Sequence, residues 1–319
     1  MTFKLKTLLI TVTLLIIAAC TGNQPPAPAK PAAVAKVPEI KATAPEYFLN
    51  SSEYKLLLDP GKFNDYPKAL EAYWNIVQEV ATQQGLNIIL EDEPLKLKHK
   101  QVTFFDTPDH DLKKAGFLFR QRQKFKKEKP TSEYDYVLKY VQPNLEALSG
   151  IDMNVDTSYL DMSEGVEIES DLVYDFTPGG QVKTKYTISN SFDTDKTTSL
   201  IFGDIAKIYP ILNSLDIPGD LTLQRVGDVT VDQWKIGPGS LDFGDGLVVE
   251  MDFTVWLVPT ESGVISIPEF SYDHGFSDDV VYGEAALERC FEFMKHVNAH
   301  SPDWVVAGRS KSAYLYELK

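Results

Sequence analysis

Cysteine is nearly absent from this chain: its 319 residues include two, Cys20 and Cys290. No disulfide framework can be built from such a pair, and if Cys20 is used elsewhere Cys290 has no intrachain partner. Cys290 falls among Leu287, Phe291, Met294 and Val297, the apolar stripe of a helix, and reads as core. Positive charge is also scarce. Lys and Arg number 31 against 46 Asp and Glu, a formal net charge of -15 that argues against a nucleic-acid partner. An anionic ligand needs a local exception to that field. Only one long apolar run is present, residues 8–19, and it is short for a membrane span. No internal repeat is visible.

The apolar run follows Lys4 and Lys6, as in an export signal, so residues 1–19 are expected to be removed. Their loss takes away two lysines and no acid and leaves a charge of -17. Ile17, Ala18, Ala19 and Cys20 resemble the bacterial lipobox, in which the cysteine thiol receives a diacylglycerol and becomes the new N-terminus. Thr21 stands where an aspartate would indicate inner-membrane retention, so in a cell with two membranes the outer membrane is favoured. Residues 20–45 are dominated by Ala and Pro and form an extended tether. The folded domain is expected over 46–319.

Within that domain, residues 52–58 read as a strand stopped by Asp59, Pro60 and Gly61. Leu70, Tyr73, Trp74, Val77, Val80 and Ala81 recur at helical spacing, with Gly85 as the stop. Strand-like runs then begin at Leu95, Phe117, Glu133, Gly165, Gln181, Leu221, Leu247 and Val264, separated by turn signals that include GPG at 237–239. A short helix is expected over 204–215 and a longer one over 283–299. The pattern predicts an α+β fold, mainly antiparallel β, closed or nearly closed, with flanking helices.

Alternation places charge on one face of several of these strands. Arg120, Arg122 and Lys124 share a face with Leu118, while Phe117, Phe119 and Phe125 take the other. Glu167, Glu169 and Asp171 do the same in GVEIESDL, Glu250 and Asp252 in VVEMDFTVW, and Lys183 and Lys185 in QVKTKYTIS. Taken alone, such parity favours an ordinary half-buried sheet with one face in water.

The stretch FFDTPDHDLKKAGFLFRQRQ, at 104–123, resembles the signature of the CYTH superfamily, the triphosphate tunnel metalloenzymes. The matching positions are Phe104, Phe105, Asp106, Thr107, Pro108, Leu112, Ala115, Gly116, Phe119, Arg120 and Arg122. Weaker matches follow in the family's order from Glu53 to Lys311: Glu53 and Lys55 in the first strand, Lys139 in VLKY, Arg225, the acidic strands VVEMDFTVW and EFSYD, and Lys311. The resemblance implies an eight-stranded antiparallel tunnel with charged faces inward. It implies phosphate binding by Lys55, Arg120, Arg122, Lys139, Arg225 and Lys311. It also implies Mg or Mn held by Glu53, Glu250, Asp252 and Glu269, with hydrolysis of a tri- or polyphosphate. Outside the cytoplasm inorganic polyphosphate is the favoured ligand. Three positions depart from the pattern: Ser51 replaces a glutamate, Ser271 stands where EFSYD would offer a second acid, and Gly165 stands where an arginine would precede Glu167. Those losses make a non-catalytic anionic-polymer binder, or a structural lipoprotein with a filled tunnel, the alternatives to an enzyme.

Four further motifs reduce to local structure. His296 and His300 have zinc spacing, but Val297 replaces the glutamate of a metalloprotease, leaving a solvated helix end. Ser52 and Lys55 form SxxK on a strand rather than at a helix start. GPGS at 237–240 lacks a Walker lysine and reads as a turn. KFKKEK at 124–129 reads as a hairpin tip.

Overall fold

The computed structural model describes residues 49–318, apart from 160–162, 164, 179, 277–280 and 307–309. The expected signal peptide, Cys20 and the tether lie outside the described residues. In chain order the elements are β1 (Ser51–Leu57), α1 (Tyr66–Gln83), β2 (Asn87–Leu90), β3 (Lys98–Asp106), α2 (Asp111–Lys114), β4 (Phe117–Lys126), β5 (Lys129–Gln142) and β6 (Gly165–Val173). They continue with β7 (Lys183–Thr194), α3 (Phe202–Ile208), β8 (Gln224–Arg225), β9 (Val231–Asp242), β10 (Val248–Thr260), β11 (Gly263–Gly275), α4 (Glu284–His300) and α5 (Lys311–Glu317).

The strands form one sheet in the order β2-β9-β10-β11-β1-β6-β7-β5-β4-β3-β8, and a further pairing of β9 with β3 closes it. The closed ring therefore has nine strands, with β2 and β8 attached outside. Strand direction cannot alternate all the way around an odd ring, and the one parallel pair that this demands is β1 with β6. Closure abolishes the exposed edges of the ring strands. The ninth strand is β9, whose Gly237, Pro238 and Gly239 read as a turn in the sequence but lie mid-strand. They sit opposite a register shift between Met251 and Phe253 of β10, a bulge in which the missing proline N–H leaves no ladder bond unmade. Gly239 has φ 146°, and a Cβ there would lie 2.0 Å from the Ile89 carbonyl oxygen, so only glycine lets β2 approach. The strand expected at Leu221 shrinks to the two residues of β8.

Outward-facing side chains meet two helical jackets. α1 starts at Tyr66 with a proline in its first turn, buries Leu70, Tyr73, Trp74, Val77 and Val80, and gives way at Gly85, which has φ 69°. With α4 it covers Phe253, Phe270 and Tyr272 of β10 and β11, and Cys290 is buried in that cluster. On the opposite flank Phe117, Phe119, Tyr136 and Leu138 pack with α3 and Tyr209. A third apolar cluster forms inside the ring. Leu57, Phe104, Trp256 and Ile267, at the ends of β1, β3, β10 and the start of β11, fill one end of the barrel beside Leu315 of α5. Antiparallel pairing brings those strand ends to the same side, and the lumen is polar beyond them. The hairpin expected at 124–129 turns on Lys127 and Glu128, both with positive φ. No helix among the described residues is long and apolar enough to cross a membrane.

Candidate anion site in the tunnel

The signature stretch is first a piece of scaffolding. The Asp106 carboxylate, 1% exposed, accepts the backbone N–H of Thr107 at 2.7 Å, of Leu112 at 2.9 Å and of Lys113 at 3.0 Å. It also accepts the Tyr316 hydroxyl of α5 at 3.1 Å. The donors at the start of the short α2 are satisfied in this way, as a helix cap satisfies them. Gly116, at φ 91°, then turns the chain into β4; a Cβ there would lie 2.9 Å from the Tyr140 ring. The register that follows puts Arg120 opposite Phe104 on β3 and Val137 on β5. Arg120 and Arg122 consequently face the lumen, and Phe117 and Phe119 face the outer core. Lys124 lies at the rim, 3.4 Å from Asp193, and lines neither chamber of the lumen.

The polar lumen comprises two adjoining chambers of about 390 and 380 Å³ that share Glu53, Arg122, Gln233, Asp252, Glu269 and Lys311. Ten lysines and arginines and six carboxylates line them, an excess of cations inside a chain of net charge -15. Of the phosphate-binding set expected from the resemblance, Lys55, Arg120, Arg122, Lys139 and Lys311 meet there. Arg225 does not. It lies exposed on β8, outside the ring, with its guanidinium 2.8 Å from Asp228.

Five lumen cations carry their own counter-ions. Lys55 Nζ lies 2.7 Å from Glu53 and 2.5 Å from Asp171, Lys139 is 2.7 Å from Glu169, Lys311 is 2.6 Å from Glu269, Arg122 is 3.2 Å from Asp135, and Lys235 is bonded to Asp252. The other five, Lys98, Lys100, Lys113, Arg120 and Lys185, form no ion pair among the described residues. Burial, with Arg122 adjacent, pushes the Arg120 guanidinium down to about 9, which still leaves it cationic at neutral pH. Burial lowers Lys100 and Lys113 as well, helped by Arg122 and Lys185 respectively. Among the described residues, buried Nε atoms of Arg120 and Arg122 and Oδ1 of Asp135 have no hydrogen-bond partner. A wall built by β3, β4, β5 and β7 thus carries more cations than its ion pairs neutralise.

The opposite wall has the reverse problem. Glu250, Asp273, Glu53 and Asp171 are register partners on β10, β11, β1 and β6, a row of four acids that continues to Lys185 on β7. Burial, then Glu53, Asp252 and Glu250, pushes Asp273 up to about 7. Lys55 and Lys139 hold Asp171 ionised against its burial, whereas burial raises Glu53. Because folded Asp273 keeps its proton to higher pH than the unfolded residue, whose ordinary value is 3.8, stability falls as pH rises between those values and levels off above the higher one. Asp273→Asn is therefore expected to melt progressively higher relative to the parent between about pH 4 and about pH 7, followed by thermal denaturation. Parallel curves would show that Asp273 is not so perturbed.

The four acids expected to hold a metal are not gathered around one point. Glu250 is exposed at the rim and lines neither chamber, and Glu53, Asp252 and Glu269 are each engaged by a different lysine. Among the described residues no three acids, histidines or cysteines are placed to share an ion. His296 and His300 do not form a zinc site either; His300 lies 3.3 Å from Glu79. Ser51 and Ser271 both line the lumen, so two departures from the signature fall on its polar surface.

No protein-family model and no curated protein matches the sequence. Among solved structures, the chain is similar to a protein from Hippeastrum, named as an adenylyl cyclase and described as having a dominant triphosphatase activity. The identity is 12%, the coverage 84% of this chain and 95% of that one, and the TM-score 0.42. A Bacillus halodurans protein named for adenylate cyclase activity gives 14% identity, coverage of 84% and 100%, and a TM-score of 0.39. A Pyrococcus horikoshii protein gives 11%, coverage of 84% and 99%, and 0.35. Identities and scores this low leave the tunnel to be argued from this chain's own pairings.

Sequence reasoning passed over Lys98, Lys100, Lys113, Lys235 and Asp273. Alternation in LKLKHK, at 95–100, signals the first two. Lys113 falls inside the signature, whose turn directs it to the lumen. Nothing local marks Lys235, because its strand was not recognised.

Proposed function

We propose that this chain binds a linear polyanion, tri- or polyphosphate, inside its tunnel, and that it is held at the cell envelope through lipid on Cys20. The observation that carries the reading is Arg120, a lumen guanidinium with no ion pair among the described residues, flanked by further cations on neighbouring strands that form none among those residues either. Burying so many like charges is unfavourable unless an anion joins them. These cations are spread over β3, β4, β7 and the α2 turn, so one small anion cannot reach them all, whereas a chain of phosphates offers an oxygen to each.

Turnover is the second reading. Asp273 favours it, as a lumen carboxyl whose pKa of about 7 allows proton exchange at neutral pH. In the first reading tripolyphosphate stabilises the full chain, by about 2.7 kcal/mol at roughly a hundredfold excess over Kd, and orthophosphate at equal ionic strength does not. The protein is expected to fractionate with membranes. No melting shift with tripolyphosphate would remove the reading, and release of orthophosphate from it would move the assignment to hydrolase.

A further inference from the structure

We infer that resident lysines, rather than a divalent cation, neutralise the acidic wall of this tunnel, so that it takes the free polyanion and not its metal complex. The inference rests on the anion-binding reading above. Lys55 Nζ bridges two carboxylates of the acid row, Glu53 at 2.7 Å and Asp171 at 2.5 Å. Lys311, delivered by α5, meets Glu269 at 2.6 Å with its ammonium 5.3 Å from the Trp256 ring, and Lys235 meets Asp252 across the β9–β10 pairing.

An ammonium has three donors and a single charge, which suits one or two carboxylates. Mg or Mn asks for several oxygens arranged around one point, and here the oxygens are distributed among three separate lysines. To enter, the ion would have to displace an ammonium already tethered beside its partner. Charge that a metal would bring to a phosphate chain is instead present in Lys98, Lys100, Lys113, Arg120 and Lys185 on the facing wall and its rims. A metal-complexed phosphate has part of its charge already cancelled and its oxygens occupied, so it is the poorer ligand for such a wall.

Calorimetric titration of the full chain with tripolyphosphate, in EDTA and then in excess Mg, tests this. Binding is expected in EDTA, with apparent affinity falling at least about tenfold when Mg sequesters the free anion. Binding that requires Mg or Mn would overturn the inference and leave the anion-binding reading standing. Binding in neither condition would overturn both. A second readout does not depend on the anion: electron paramagnetic resonance of Mn added to the protein alone. The parent is expected to leave Mn free, and Lys55→Met, which strips the ammonium from Glu53 and Asp171, is expected to gain a bound signal. Stoichiometric Mn on the parent would overturn the inference whether or not the variant folds.

Discussion

Arg120→Met is expected to move stability and affinity in opposite directions. Removing a lumen guanidinium that has no ion pair relieves a desolvation cost and its repulsion with Arg122. In the absence of ligand the variant should therefore be more stable than the parent, by about 1–2 kcal/mol, since apolar replacements of buried charge are often stabilising by such amounts. The same change deletes a charge-assisted donor to the anion, so tripolyphosphate binding should weaken about 10- to 100-fold. Chemical denaturation and calorimetry read the two effects separately. A purely structural arginine would show the reverse on the first measurement, a loss of stability, and nothing on the second. Val137 opposite it and Phe104 beside it offer the inserted methionine an apolar neighbourhood.

Asp106→Ala should cost about 3–5 kcal/mol of stability, the largest effect expected of a single substitution here. Its carboxylate serves three backbone N–H groups and the Tyr316 hydroxyl in a place closed to water. Alanine would leave those donors buried without partners and would loosen both the turn into β4 and the docking of α5. Asp106→Asn keeps one acceptor oxygen and should lose less. Equilibrium unfolding in urea measures both, and an alanine variant within about 1 kcal/mol of the parent would show that water replaces the carboxylate without difficulty.

Both residues belong to the signature, yet Asp106 braces the fold while Arg120 is proposed to meet the ligand, and sequence pattern alone gives no means of separating them. Local signals were sufficient for much of the architecture. Alternation in FLFRQRQ sets arginines and phenylalanines on opposite faces, with the inward direction implied by the resemblance; the helical spacing of Leu70 to Ala81 marks α1, and turn chemistry at 106–116 marks the start of β4. Failure came where tertiary context overrides local chemistry. Gly237, Pro238 and Gly239 are turn residues, but a bulge accommodates them within β9, a ring strand that the eight-stranded tunnel implied by the resemblance does not include. Arg225 stands near the family's later basic position, but only two residues of its run pair, outside the ring, and its guanidinium turns to Asp228. Which acids take lysines was illegible for a different reason. Lys311 reaches Glu269 only because α5 packs on the filled end of the barrel, a contact no window of sequence contains. Of the metal set implied by the resemblance, Glu53, Asp252 and Glu269 therefore line the lumen each beside its own lysine, and Glu250 does not line it.

The most direct test of the central claim, that unpaired lumen cations converge on a polyanion, is a crystal structure of the chain grown with saturating tripolyphosphate. The account predicts density for a phosphate chain within the ring, with an oxygen at hydrogen-bond distance from Arg120. Density confined to the outer surface, or a lumen holding only water at saturation, would contradict it.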